Sequence, residues 1–185
     1  MMLVLSFLFD FILTLLAIDF VSGIVHWAED TFFTEDTPLF GEWLVKPNVL
    51  HHEQPAAFIT KSWWQSSWDL VIAALVISGV AYLTNHLNWQ LLLFCFLAAN
   101  ANQLHKYAHL STKQTPRLVR FFQNAGILQK ARHHALHHSG EKNQAYCVIT
   151  PYLNPVLDYL GFWRRLEKIL LYFLPAPRRK DLKTE

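Results

Sequence analysis

The chain carries sixteen Lys and Arg, yet none occurs in residues 1–45 and none between Ser62 and His105. These gaps coincide with apolar runs. Residues 3–27, LVLSFLFDFILTLLAIDFVSGIVHW, would as a helix outreach the roughly 30 Å hydrocarbon core of a bilayer at about 1.5 Å per residue. No basic residue precedes the run and no small-x-small site follows it, so it predicts a span rather than a cleaved leader. A second run, Asp69–Thr84, and a third, Trp89–Ala101, are separated only by Asn85-His86-Leu87-Asn88 and predict a tight helical hairpin. Hydrophobic residues make up 52% of the chain and charged ones 16%, against roughly 25% charged in an ordinary soluble domain. That balance excludes a disordered, collagen-like or disulfide-framework chain and argues against an ordinary cytosolic enzyme. The expected fold is an all-α integral membrane protein with three transmembrane helices in one domain over 1–175. A flexible charged tail over 176–185 follows.

All sixteen cations fall outside the three runs and outside the Asn85–Asn88 turn. Three crossings put every one of them on a single face, which the positive-inside rule makes cytoplasmic. Such a multi-pass topology suits a bacterial inner membrane or the endoplasmic reticulum equally. A basic face of this kind suits anionic headgroups or an acidic redox partner; no nucleic-acid partner is expected. Residues 155–174, PVLDYLGFWRRLEKILLYFL, interleave five charges with apolar clusters. They predict an amphipathic helix in the interface, with Trp163 and the Arg164–Arg165 pair at headgroup depth. Residues 117–129 predict a smaller interfacial helix. Trp63, Trp64 and Trp68 precede the second run and read as interfacial anchors, with a lipid entrance as the sharper alternative. Cys95 and Cys147 lie in different environments and predict no disulfide between them.

Ten His occur, and nine of them lie at or beyond the cytoplasmic ends of the expected spans. His26 ends the first run; His51 and His52 form a doublet; His105 and His109 leave the third run; His133, His134, His137 and His138 form an HHxxHH box. Only His86 falls on the other face. Residues four apart share a helix face, with Cβ atoms about 5–6 Å apart. His105 with His109, His133 with His137, His134 with His138, and His26 with Asp30 form such pairs. Asp19, Gly23, His26 and Asp30 make one polar stripe, in which Asp30 is a ligand candidate and Asp19 a group that orients ligands or supports structure. A single zinc needs three or four ligands, too few to use this many. Glu-x-x-His pairs of the ferritin-like di-iron type and an HExxH motif are both absent. A bis-His haem would place its ligands within the membrane rather than at helix ends. The remaining reading is a His-rich di-metal centre at the cytoplasmic boundary, of a kind that activates oxygen.

DFVSGIVHWAEDTF (19–32), LHHEQP (50–55), QLHKYAH (103–109), RHHALHH (132–138), AYCVITPYLN (145–154) and LGFWRRLE (160–167) stand in this order. In that order they resemble the lipid desaturases that include plasmanylethanolamine desaturase and the plastid fatty acid desaturase 4. The resemblance covers about residues 19–172, and FWRRLE is closer to the plasmanylethanolamine branch. AED in the first motif and the compact connection between the second and third runs depart from the pattern. The resemblance implies two non-haem iron ions, O₂ as co-substrate, and an external electron donor such as cytochrome b5 or ferredoxin. In the plasmanyl branch it implies conversion of the 1-O-alkyl chain of a membrane ether phospholipid into the vinyl ether of a plasmalogen. It carries His26, His51, His52, His105, His109, His133, His134, His137 and His138 over as ligand candidates. His134-x-x-His137-His138 is the closer match to the usual box, and either His133 or His134 is the inner ligand.

No Ser-His-Asp order and no nucleophilic Cys setting points to hydrolysis, and acid–base groups alone cannot break an unactivated C–H bond. The chain's own task is then to hold metal, exclude water and fix which carbon reaches it. Lys106, Arg132, Arg164 and Arg165 are candidates for holding a lipid phosphate or an acidic donor. Three alternatives remain open: desaturation of an acyl chain of phosphatidylglycerol or another glycerolipid, hydroxylation by similar His boxes, and a non-catalytic membrane adaptor or metal carrier.

Overall fold

A computed structural model describes residues 2–139 and 142–174, so the tail expected over 176–185 lies outside the described residues. Every regular element among those described is helical. Helix α1 (Met2–Phe32) is followed by a π-helical turn (Gly41–Val45), α2 (Lys46–Glu53), α3 (Pro55–Thr60), α4 (Trp63–Leu83), α5 (Trp89–Ala99) and α6 (Ala101–His109). Four further helices complete the chain: α7 (Arg117–Asn124), α8 (Ala131–His134), α9 (Leu153–Tyr159) and α10 (Phe162–Phe173).

Two helices, α1 and α4, are long and apolar enough to cross a membrane, where the sequence predicts three. The third run falls short for a local reason. Helix α5 stops at Asn100, whose side-chain amide turns back on the Phe96 carbonyl and whose Oδ1 accepts from Trp63 Nε1. The hairpin itself forms as expected. Asn88 caps α5 by accepting from Leu91 N–H, and Ser62 with Gln65 makes a reciprocal capping box at the start of α4. Neither long helix is a soluble core helix. Leu3, Phe9, Ile12 and Leu13 on α1 and Leu75, Val76 and Val80 on α4 are about half exposed or more. Apolar surface of that extent costs about 25 cal/mol per Å² when it faces water, a cost that lipid removes.

The core gathers around α1. Ile18 packs with Val148 and Ile149; Trp27 packs with Tyr146, Cys147, Leu157 and Trp163. Residues 145–150 are all buried without belonging to a helix. A buried irregular strand must find partners for its backbone, and side chains supply them. Asp19 accepts from Ile149 N–H (2.8 Å) and from the Thr150 hydroxyl (2.6 Å). Asn154 accepts from Cys147 N–H and donates to its carbonyl, and Gln129 donates to the carbonyls of Cys147 and Thr150. Gly23 lets this segment approach α1: a Cβ there would stand 2.7 Å from Cys147 Sγ and 3.0 Å from the Trp163 ring.

The C-terminal amphipathic helix expected over 155–174 is two helices, α9 and α10. They are broken at Gly161, whose φ of +58° is the left-handed conformation glycine adopts without strain. Trp163 is therefore not at headgroup depth but 3% exposed in the core. The smaller helix expected within 117–129 is α7. Cys95 and Cys147 are both free thiols.

Candidate metal centre

Two adjacent groups of side chains converge where the C-terminal end of α1, α2, α6 and the α8 turn meet. His51, His105, His109, His134 and His138 form one; His26, Asp30, His52 and His137 form the other. Within each group one potential ligand atom per residue lies within 4.8 Å of all the others. The helix geometry decides who joins which group. Residues four apart stay together: His26 with Asp30, His105 with His109, His134 with His138. Adjacent residues on a helix point about 100° apart, so His51 and His52 of α2 part between the groups, and His137 and His138 part likewise in the turn after α8. His51 and His138 go to the five-His group, and His52 and His137 to the other.

The ring nitrogens do not behave as a hydrogen-bonded network. In the five-His group Nε2 contacts run His109–His105 (3.3 Å), His105–His134 (2.7 Å) and His134–His138 (3.0 Å). A neutral ring nitrogen is either one donor or one acceptor. His105 and His134 each meet two partners, so at most two of the three contacts can be hydrogen bonds. Nitrogens bound to one ion at about 2.1 Å stand about 3.0–3.4 Å apart, which is the spacing of most of these contacts. His51 has both ring nitrogens buried without a hydrogen-bond partner among the described residues. Burial, then the neighbouring rings, pushes the pKa of His109 down to about 4 and that of His138 to about 2. These imidazoles are neutral near pH 7, the state that ligates metal.

In the second group Nδ1 of His26 meets the Tyr146 carbonyl at 3.2 Å, and Nδ1 of His137 meets the Gln144 carbonyl at 2.8 Å. Each Nδ1–H donates there, which fixes the tautomer and leaves Nε2 with its lone pair. For His137 that lone pair points at Asp30 Oδ2, 3.2 Å away. A proton or a metal ion between that nitrogen and the carboxylate satisfies both groups. Asp30 Oδ1 accepts from His52 Nε2 (2.9 Å) and from Asn48 Nδ2 (2.6 Å). Imidazoles with one carboxylate are a donor set suited to a first-row transition metal. The residues present therefore fit two such ions.

A cavity of about 370 Å³ ends at this site. His26, His51 and His105 form its polar end, and Ile18, Val21, Leu70 and Ala98 are among the residues that line the rest. Phe58 of α3 also lines it, with its ring 4.7 Å from that of His51 and 5.1 Å from that of His105.

Residues 15–181, which contain every residue of both groups, match the lipid desaturase domain. This chain belongs to the lipid desaturase family. The family places it among oxidoreductases. Mouse plasmanylethanolamine desaturase 1 is 30% identical over 181 residues, covering 91% of this chain and 66% of that protein. The plasmanylethanolamine desaturase of Myxococcus xanthus is 29% identical over 179 residues, covering 92% and 63%. Chloroplastic fatty acid desaturase 4 of Arabidopsis thaliana is 29% identical over 159 residues, covering 84% and 49%. The chain thus spans just under two thirds of the mouse and bacterial relatives. No solved structure matches it.

In this member of the lipid desaturase family the expected site residues sort as follows. Eight of the nine His and Asp30 come together. His133 does not: α8 ends at His134, and the His133 ring turns back, its Nδ1 accepting from Lys130 N–H at 3.3 Å. Asp19 contacts no ligand; its carboxylate ties α1 to residues 149–150 and acts on the site only through that segment, which carries the Tyr146 carbonyl. Lys106 does not face the surface. It is 4% exposed and donates to the carbonyls of Lys61 and Ser62. Arg164 pairs with the buried Glu167, while Arg132 and Arg165 are exposed. His86 is exposed in the α4–α5 turn. Asn48 and the carbonyls of Gln144 and Tyr146 escaped the sequence reading. For Asn48 the signal was present, since it stands four residues before His52 on one helix face.

Proposed function

We propose that this chain is an O₂-dependent membrane lipid desaturase holding two iron ions. His51, His105, His109, His134 and His138 hold one, and His26, Asp30, His52 and His137 hold the other. Its substrate is the 1-O-alkyl chain of plasmanylethanolamine, which it converts to the vinyl ether. One observation carries this reading: two convergent ligand groups close the polar end of an apolar cavity beside two long apolar helices. The names of the mouse and M. xanthus relatives support the ether lipid as substrate.

In the overall reaction the chain loses two hydrogens while O₂, two external electrons and two protons give two waters. Metal ions held by these side chains would activate O₂, the oxidant for the unactivated C–H bond. The chain's residues do the rest. Gln144 and Tyr146 carbonyls lock two ring tautomers, and Asn48 steadies Asp30. The apolar wall keeps water from the reacting carbons and positions them within reach of the ligand groups. α1 and α4 cross the bilayer and α5 with α6 bring the chain back, so the His site lies at one boundary, the cytoplasmic one, where an electron donor such as cytochrome b5 or ferredoxin docks. Exposed Arg132 and Arg165 are the remaining candidates to meet that donor or a lipid phosphate.

Lipid mass spectrometry of a plasmalogen-deficient cell line expressing this chain tests the proposal. A vinyl ether ethanolamine lipid is the expected product. A desaturated acyl chain with no vinyl ether moves the substrate to the fatty acid desaturase 4 type, and an unchanged lipidome refutes the activity.

A further inference from the structure

The cavity that ends at His26, His51 and His105 also has a mouth. Val21 and Val25 of α1, Trp43 of the π-helical turn and Trp68 of α4 line it, yet each is between 39% and 46% exposed. Residues that face both the cavity and the outside mark an opening. Ile18 and Val148, 2% and 5% exposed, close the opposite end.

The opening lies between α1 and α4. Both pack against α5, which forms the back wall through Ala98, and they hardly touch each other. α1 and α4 are also the two helices fit to cross a membrane. Their outer faces beside the mouth are apolar and exposed, with Ile72, Leu75 and Val76 on α4. The mouth therefore opens sideways into the apolar belt rather than toward water.

Its rim and wall are graded. The Trp43 and Trp68 rings stand 5.6 Å apart, and the Trp43 indole N–H donates to the Leu39 carbonyl. Indoles with one apolar and one polar side suit the boundary between headgroups and chains. From Lys61, just before α4, the wall runs through Gln65, Ser66 and Asp69 to Leu70 and Ala73, about 12 Å of helix from Gln65 to Ala73. A ligand that fits is polar at the Lys61 end and apolar beyond. A volume of about 370 Å³ is near the lower end of the about 300–1,000 Å³ of small-molecule sites. It takes one chain, not a whole phospholipid.

We infer that the gap between α1 and α4 is a lateral portal. Through it one hydrocarbon chain of a bilayer lipid reaches the cavity beside His26, His51 and His105. The inference rests on the lipid desaturase reading for the identity of its ligand, and its test does not depend on turnover.

The full chain is placed in phosphatidylcholine nanodiscs containing a trace of ether phospholipid with a diazirine in its alkyl chain. After irradiation, adducts are mapped by mass spectrometry. Adducts are expected on Val21, Val25, Leu70 and Ala73. Ala73→Trp, at an exposed position on the wall, should reduce those adducts about tenfold, the factor for two methylenes no longer buried. Val25→Trp plugs the mouth from the other side and should do the same, while Val76→Trp on the outer face should leave labelling unchanged. Adducts confined to outer residues such as Leu75 and Val76, equal in wild type and both plugged variants, would overturn the portal. Labelled walls in a chain that forms no desaturated lipid would uphold the portal and contradict the enzymatic reading instead.

Discussion

His137 points its Nε2 at Asp30 Oδ2 across 3.2 Å while its Nδ1 donates to the Gln144 carbonyl at 2.8 Å. The carbonyl holds Nδ1 and so turns Nε2 toward the carboxylate. Asp30→Asn removes the charge and puts an amide in reach of the lone pair. The second group should then lose metal affinity by at least the about 10–100-fold typical of supporting residues. Titration against a chromophoric chelator reads this directly. The five-His group should keep its affinity.

Asn48→Ala tests a residue that orients without binding. Asp30 Oδ1 would lose the shorter of its two contacts. Metal affinity of the second group should fall about tenfold. The melting temperature should move little, since one hydrogen bond is worth about 1 kcal/mol. A large melting shift with unchanged metal affinity would make Asn48 structural only.

His133 and His137 are four apart in one box but have different fates. His133→Ala should leave product formation within about twofold of wild type, because its ring makes only a local backbone contact. His137→Ala should abolish product while the protein still inserts in membranes. Lipid mass spectrometry of cells expressing each variant separates the two outcomes.

Gly23→Ala places a methyl group 2.7 Å from Cys147 Sγ and 3.0 Å from Trp163. Overpacking of this kind costs about 1–3 kcal/mol, measurable as a lower unfolding midpoint in detergent. Adding Cys147→Ala should recover part of the loss, because it removes the nearer clash.

The metal-free chain should lose stability as pH falls. His109 is depressed to about 4 in the fold against an ordinary value near 6.5, so between these values the unfolded chain binds more protons. Stability is then fully present above about pH 6.5 and falls as pH drops toward 4. His138, held lower still, adds to the same slope. Unfolding midpoints of the chelated protein between pH 7.5 and 4.5 should decline, and metal loading should flatten the decline. The decline should be shallower in His109→Gln, and an unchanged slope in that variant would contradict the neutral, buried assignment.

Much of this was readable from spacing. Residues four apart share a helix face, so His105–His109, His134–His138 and His26–Asp30 could be paired before any coordinates. The same geometry parts His51 from His52 on α2, whereas His137 and His138 part in the turn after α8. His133 looked equivalent to His134 because a helix was extended through the whole box; α8 stops after one turn, and only backbone geometry shows that. The third apolar run forms a helix that ends at Ala99, because Asn100 turns back on Phe96, a break that composition does not show. Lys106 was placed at the surface as a cation, but the Lys61 and Ser62 carbonyls that hold it come from a distant segment. Asp19 and the buried 145–150 segment illustrate the same limit: a carboxylate on a polar stripe does not announce that its partners are a backbone N–H and a hydroxyl about 130 residues away.

The central claim is that nine side chains hold two metal ions in one chain. Iron per chain in the purified, active protein, measured by plasma emission spectrometry, tests it most directly. The account predicts two iron ions per chain, falling to one or none in His137→Ala. One iron or none in a chain that still forms the desaturated lipid, or two retained after His137→Ala, would contradict it.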